Sequence, residues 1–445
     1  MKRSFVISLV LAALVSCTRD DNFSFKKGEA SGAAESWALN TRIESDETRN
    51  VLIFYSAGLN DLSIWLDDDI NELPNGFVPQ KGNRADHVFL VYSRLTERGA
   101  DGKCIRFSKE PTQSVLFRLY KESGKVVHDT LKVWGKEVNA CTPETMREVL
   151  QLAYDRFPAK GYGMVISTHA SGWLPSGYYS DPSKFDSQFS GGSTLWSSVR
   201  RNSQEQFPPI PVDSYPAVKS VGQDNVATPV EMDLDAFVDA IPYHLDYLLF
   251  DTCLMGCVEV AYQLRGKADI VGFSQTEVLA NGFNYRTLAS RLLQNTPDPL
   301  AVCQDYFSYY EAQTGDYHSA TISMVDTRQM DPLANVCKTL FEKYRDKINS
   351  LSGYSVQGYF RFGRHFFYDL KDILIKAGIT EEEEADLDAA LSQCVLYKAA
   401  TDHFLSFKIY SACGFSMYLP SMGSSYLDNY YTTSIAWNKA TELVK

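Results

Sequence analysis

The feature that most constrains this chain is a series of short apolar runs, each ending abruptly in polar residues. Val51-Leu52-Ile53-Phe54-Tyr55-Ser56, His87 to Ser93, Gly163 to Ser167, Asp246 to Phe250 and Asp269 to Ser274 are rich in β-branched and aromatic residues and read as strands. Between the first two, Leu62, Trp65, Ile70 and Leu73 recur at helical spacing across Asp61 to Leu73. Strand, helix, strand in this order implies right-handed crossovers in a parallel sheet, hence an α/β fold.

The remaining segments fit around that sheet. Residues 104–133 alternate in short stretches about Glu122-Ser123-Gly124-Lys125 and predict an antiparallel hairpin at the sheet edge. Thr142-Pro143 starts a helix to about Phe157, with Thr142 as its cap. Residues 177–228 are crowded with Gly, Ser, Pro and Asn and read as a long loop of the kind that carries function. Beyond it, helices are expected over Pro229 to Ile241, from Leu254 onward, and over Tyr285 to Gln294, Pro299 to Thr314 and Asp331 to Ser350. A strand is expected at Ala320 to Val325. The last third predicts helices near Phe366 to Ala377 and Glu381 to Tyr397, a hairpin at Leu405 to Pro420 and a final helix over Tyr426 to Val444.

Lys2-Arg3 followed by the apolar run Phe5 to Val15 is too short for a permanent membrane span. With Leu14-Val15-Ser16-Cys17 it resembles a bacterial lipoprotein signal, which implies lipidation at Cys17 after removal of residues 1–16. Arg19-Asp20-Asp21 resembles the signal that sends such lipoproteins to the cell surface. The expected location is therefore outside the cytoplasm, on the outer membrane, held by acyl chains alone. Residues 17–49 are polar and read as a flexible tether, with a folded body from about Asn50.

Across 445 residues, 44% hydrophobic and 13% aromatic content specify real cores, and a net charge of −12 without a basic stripe argues against nucleic acid. Cysteines are too sparse and irregular for a disulfide-built scaffold. The domain reading is a body over 50–325 and an α+β region over 326–445 packed on it.

Ligands of open parallel sheets sit beyond the carboxyl ends of the strands. His169, Cys253 and Ser274 all fall at such ends and can converge on one crevice. A helix from Leu254 would place Cys253 at a helix N-terminus, where unpaired N–H groups and the dipole favour the thiolate. A thiol, an imidazole to take and return its proton, and N–H groups for an oxyanion form an acyl-transfer site. Cys257 is read as core.

Thr168-His169-Ala170-Ser171-Gly172-Trp173 and Phe250-Asp251-Thr252-Cys253-Leu254-Met255-Gly256 resemble the histidine and cysteine motifs of the clostripain family of caspase-like cysteine peptidases. The likeness extends to Ser274, to Gly282-Phe283-Asn284-Tyr285 and to Gly414 through Pro420. The resemblance implies a caspase-like three-layer sandwich with a mainly parallel sheet flanked by helices. It also implies a His169/Cys253 dyad cleaving peptides after Arg, or Lys, with protein substrates bearing basic residues and a monomeric enzyme. Asp251 would form the floor of the primary pocket; by period-two alternation it shares a side with Cys253. Ser274 and Glu277 are further substrate-binding candidates.

The oxyanion hole would use the N–H groups of Cys253 and Ala170. The family usually has glycine at the latter position, and a requirement for positive φ there would impair activity. That departure, with the anchor, leaves a surface binding lipoprotein on an impaired peptidase scaffold as the alternative. No cofactor is expected; Asp67-Asp68-Asp69 is the candidate for calcium, which some relatives need. Relatives are cut between the two motifs, which makes Arg200 and Arg201 processing candidates.

Overall fold

The computed structural model describes residues 29–30, 49–81, 87–106, 108–178, 184–185, 232–360 and 365–445. Cys17, Arg200, Arg201 and nearly all of the 177–228 loop lie outside them. In chain order the first elements are β1 (Glu29–Ala30), β2 (Asn50–Gly58), α1 (Ser63–Glu72), β3 (Val88–Leu95), β4 (Val115–Glu122), β5 (Lys125–Val133), α2 (Pro143–Arg156) and β6 (Gly161–Ser167). Then come α3 (Leu234–Ala240), β7 (Leu245–Asp251), α4 (Val258–Leu264), β8 (Ala268–Phe273), α5 (Tyr285–Leu292), α6 (Pro299–Glu311), β9 (Thr321–Asp326) and α7 (Met330–Ser350). The last are β10 (Tyr368–Asp369), α8 (Leu370–Ala377), α9 (Glu381–Cys394), β11 (Val395–Ala400), β12 (His403–Phe404), β13 (Phe407–Lys408), β14 (Ser416–Met417), α10 (Ser425–Ser434) and α11 (Ala436–Thr441).

One sheet of ten strands runs in the order β1-β11-β9-β8-β7-β6-β2-β3-β4-β5. β3, β2, β6, β7 and β8 are mutually parallel, and antiparallel strands extend both flanks. The alternation within each apolar run divides the core. On β2, Val51, Ile53 and Tyr55 face the layer that includes α2, α3, α4 and α7, while Leu52 and Phe54 face α5 and α6. Both faces of the central strands are thus covered, which is why their sequences are continuously apolar rather than alternating. The architecture is the caspase-like three-layer sandwich expected from sequence.

The edge hairpin β4–β5 turns on Ser123 and Gly124, both at positive φ (52° and 78°). Two left-handed central residues match the right-handed twist of the flanking strands, so the turn and the hairpin register agree. α2 is capped as expected, Thr142 accepting from the Thr145 N–H.

The last third departs from expectation in three places. The helix after Glu381 stops at Cys394, and Val395–Ala400 becomes β11, antiparallel to β9. Pairing to an open sheet edge outweighs the helical run for a Val-Leu-Tyr segment that suits a strand. The 405–420 hairpin resolves into the short β12–β13 pair, while β14 pairs with β10. The final helix is broken at Ile435 after Thr432-Thr433-Ser434, a run of weak helix formers. Within the tether, Glu29–Ala30 pairs with Tyr397 and Lys398 of β11. The sheet therefore crosses residue 325, the end of the expected first domain.

Candidate active site

The strand order sets where a crevice opens. From β2 the chain moves outward to β3, and later returns to the opposite side of β2 to lay down β6, then β7 and β8. At that reversal, between β2 and β6, the connections leave in opposite directions and part beyond the carboxyl ends of the strands. Asp61 follows β2 and His169 follows β6, and they meet across this point: His169 Nε2 lies 2.7 Å from Asp61 Oδ1. His169 is fully buried, whereas the Asp61 side chain is 16% exposed. The Thr168 hydroxyl, donating to the Ala57 carbonyl at 2.8 Å, ties the two strand ends together. Burial works to raise the Asp61 pKa, but the hydrogen bond and charge of His169 outweigh it, with smaller help from its own backbone N–H and Arg106. The carboxyl is held below its ordinary value.

Cys253 follows β7, but not at a helix N-terminus as expected. α4 begins only at Val258, with Cys257 in the capping position. The intervening residues run beside the segment after β8: Leu254 N–H donates to the Thr276 carbonyl (2.9 Å) and Gly256 N–H to that of Ser274 (2.7 Å). These bonds hold the chain extended past the point where a helix would start, and they require Leu254 in the left-handed region, at φ 61°. For a non-glycine residue that conformation costs about 1–2 kcal/mol; Leu254, fully buried, is fixed there by its packing. Cys253 is 6% exposed, and its sulfur accepts a hydrogen bond from the Val278 N–H at 3.3 Å. A loop amide rather than a helix dipole faces the thiol.

Asp251 ends β7, and its carboxylate accepts from the Tyr285 hydroxyl and from Ser167, its neighbour across the β6–β7 ladder (3.2 Å). The alternation argument for its sharing a side with Cys253 stops at Asp251, where the strand ends. What joins the two residues is the stretch 278–285, which contributes Val278 to the sulfur and Gly282 and Tyr285 to the carboxylate. Gly282 is at φ 53°, and a Cβ there would lie 2.3 Å from Asp251 Oδ2. Only glycine suits the position. Burial pushes the Asp251 pKa up to about 6, against the hydrogen bonds from Tyr285, Ser167 and the Phe283 backbone.

A second acid is present. Asp69 of α1, 7% exposed, has its pKa pushed well up, first by burial and next by the charge of Asp251. Among the described residues no Lys or Arg is ion-paired with Asp69 or Asp251. The three-aspartate run does not converge on one point: Asp67 makes a two-pronged ion pair with Arg98 (2.5 and 2.6 Å), Asp69 turns inward, and Asp68 faces solvent. Among the described residues no group of His, Cys, Asp and Glu is arranged to hold a metal.

Ala170 is buried and is not among the residues at positive φ; Gly172 takes that conformation instead, at 62°. The strain feared at Ala170 is absent. Ser274 is fully buried, its hydroxyl bonded to those of Thr276 (3.2 Å) and Thr321 (2.9 Å), so it braces the segment beside Cys253 rather than offering a free donor. Glu277 is buried next to Val278 on the same segment. Asp61 and Val278 were not singled out by sequence reasoning; Asp69 was named only within the calcium candidate, and Tyr285 only as part of the family likeness. Asp61 obeys the rule that selected His169 and Cys253, a polar side chain just past a buried strand, and applying that rule to β2 would have found it.

A mainly parallel sheet between helical layers, with histidine and cysteine beyond neighbouring strand ends, is the architecture of the caspase-like cysteine peptidases. The clostripain family profile matches residues 54–187 and 210–443, most of the chain, and the protein belongs to that family: it is a cysteine peptidase. Among solved structures it is similar to an inactive zymogen C11 protease from Parabacteroides distasonis, at 24% identity and TM-score 0.67, over 90% of this chain and 99% of that one. It is likewise similar to a secreted C11 cysteine protease from Bacteroides thetaiotaomicron in complex with an irreversible peptide inhibitor. There the identity is 22% and the TM-score 0.67, over 89% and 99% of the two chains. At these identities the likeness speaks to the fold. No curated protein matches the chain. No helix of the described residues is long and apolar enough to cross a membrane.

Gly282→Ala, which presses a methyl group onto the Asp251 carboxylate, is expected to leave the circular dichroism spectrum unchanged. It should lower kcat/KM by about 10²-fold, the scale of an ångström-sized misplacement; unchanged kcat/KM would show that Asp251 need not hold its position.

Proposed function

We propose that this enzyme cleaves peptide bonds after Arg, and less readily Lys, with Cys253 as nucleophile, His169 as its base and Asp251 as the acid that receives the basic side chain. The observation that carries the reading is the buried Asp251 carboxylate. It has no cationic partner among the described residues and is linked to Cys253 by the 278–285 stretch. Tyr285 and Ser167 orient the carboxylate. A guanidinium entering there would supply the missing charge through paired N–H bonds, and Asp69 adds a second negative group behind it.

The chemistry is acyl transfer. The Cys253 thiol gives its proton to His169 as sulfur bonds to the scissile carbonyl carbon. The tetrahedral oxyanion takes hydrogen bonds from the N–H groups of Cys253 and Ala170. Collapse breaks the C–N bond, and His169 returns the proton to the departing amine, leaving a thioester. Water then attacks the thioester, giving one proton to His169, which passes to the sulfur as the acid product leaves.

Fluorogenic peptides differing only in Arg, Lys or Asp before the cut bond test this reading. Cys253→Ala should abolish turnover, and Asp251→Ala should cost about 2–5 kcal/mol of transition-state binding for Arg substrates. Preference for Asp would refute the pocket. Because burial raises the Asp251 pKa to about 6, the free enzyme holds this group neutral below that pH and anionic above it. The kcat/KM for Arg substrates should therefore climb as pH rises through about 6, and the Asp251→Asn profile should lack that limb.

Arg200 and Arg201, with Lys184 and Lys219 nearby in sequence, make the 177–228 loop a substrate for the enzyme itself. Purified protein should convert to two chains with a new N-terminus at Arg201 or Asn202, and Cys253→Ala should stay whole. A single wild-type chain that still turns over small Arg substrates would overturn self-processing. The lipoprotein-like leader places the enzyme on the outer membrane through acyl chains on Cys17. Incorporation of an alkyne-tagged fatty acid, lost in Cys17→Ala, checks this; equal labelling of both forms would contradict it.

A further inference from the structure

The base of a cysteine peptidase has two ring nitrogens, and function depends on which one carries the proton before the thiol is engaged. In this chain the question is answered from a strand the cysteine and histidine motifs do not include. His169 is wholly enclosed, and its Nε2 is engaged by Asp61 at 2.7 Å. Its Nδ1 is buried and makes no hydrogen bond with a described residue. An ionised carboxylate only accepts, so the nitrogen it touches at 2.7 Å must be one that bears hydrogen. Whenever the ring is neutral, the other nitrogen is then the one left with its lone pair.

We propose that Asp61 is the positioning residue of this enzyme, locking His169 as the Nε2–H tautomer so that Nδ1 is the atom that takes the proton from Cys253. The proposal rests on the His169/Cys253 reading above and goes beyond it by naming the atom that works and the group that prepares it. When Nδ1 takes up a proton, the imidazolium forms against a fixed negative charge at its far side, and Asp61 itself is not protonated. The electrostatic gain is large because His169 is sealed from water.

The placement has a structural reason. Asp61 and His169 are 108 residues apart but stand beyond the adjacent ends of β2 and β6, on the two sides of the strand-order reversal. Asn60, whose side-chain carbonyl accepts from the Leu62 N–H (2.9 Å) and whose amide donates to Ala57 (3.2 Å), shapes the turn that presents Asp61. The other charge acting on Asp61 is Arg106, whose guanidinium lies 4.5 Å from the centre of the Trp65 ring. Its positive charge favours the Asp61 carboxylate and cannot replace it as acceptor.

Asp61→Asn keeps the shape but removes the charge, and its amide can turn either a donor or an acceptor to the ring. With Arg peptides, kcat should fall about 10²- to 10⁴-fold with little change in KM, the range for loss of an oriented acid–base group. The pH at which iodoacetamide alkylation of Cys253 rises should shift, since the imidazolium that stabilises the thiolate loses its counter-charge. Asp61→Glu should recover part of kcat. In protein labelled with 15N at histidine, the His169 signals should report the Nε2–H tautomer in the wild type and a mixture in Asp61→Asn.

An Asp61→Asn enzyme within about threefold of wild-type kcat, with unchanged alkylation profile and tautomer, would overturn the proposal. If Asp61→Asn misfolds, loss of the Nε2–H tautomer assignment in folded wild-type protein has the same force. Failure of the underlying reading looks different: His169→Ala or Cys253→Ala would then retain activity whatever Asp61 does.

Discussion

The segment after β8 is the part on which the rest of the site depends. Thr321 on β9 accepts from the backbone N–H groups of Gln275 and Thr276 (both 3.1 Å), and Gln275 reaches Ser323 and the Gly414 carbonyl (both 2.9 Å). Braced in this way, the segment offers its own carbonyls to Leu254 and Gly256 and its Val278 amide to the cysteine sulfur. A thiol on an irregular turn would wander. Here it is positioned by backbone hydrogen bonds from a neighbour that is itself pinned to the sheet, and the strained φ of Leu254 persists because the surroundings over-determine it.

The C-terminal third belongs to the same construction. Ser416 N–H donates to the Gly256 carbonyl (2.8 Å), and the Tyr418 N–H and Tyr431 hydroxyl both bond to Glu259 at the start of α4 (2.9 and 2.7 Å). Trp173, just beyond the histidine motif, packs edge-on against Tyr418 and Tyr431. The conformation around the cysteine is thus held from three directions, by residues distant in sequence. It explains in physical terms why the likeness to the family runs on through Gly414 to Pro420.

Much of the fold was legible because the central strands are buried on both faces and therefore carry unbroken apolar runs. Val51 to Ser56 and Gly163 to Ser167 announce their type and, to within two residues, their ends. The candidate residues His169, Cys253 and Asp251 were legible as polar positions closing such runs. What escaped was decided by partners. Whether Val395 to Ala400 is helix or strand depends on β9 standing beside it, and whether α4 starts at Leu254 or Val258 depends on carbonyls twenty residues downstream. Asp69 reads as one of three equivalent acids in a surface helix, and only the fold distinguishes the one that faces inward. Asp61 was visible by rule, yet its pairing with His169 required knowledge that β2 and β6 are neighbours.

The buried acids also bear on how firmly the empty enzyme is folded. An unfolded aspartate has a pKa near 3.9; in the folded chain burial lifts Asp251 to about 6. Between those values the folded state binds the proton more tightly than the unfolded one, so this group's contribution to stability is complete at low pH and is lost as pH rises through about 6. At neutral pH this buried carboxylate is charged and has no cationic partner among the described residues. On the proposed reading, a basic side chain bound there would restore by Coulomb attraction what deprotonation removed, and by mass action would shift the folding equilibrium toward the native state. Substrate bound in the proposed way would also be a ligand that tightens its own enzyme, so resistance to unfolding would rise with the supply of cleavable peptide.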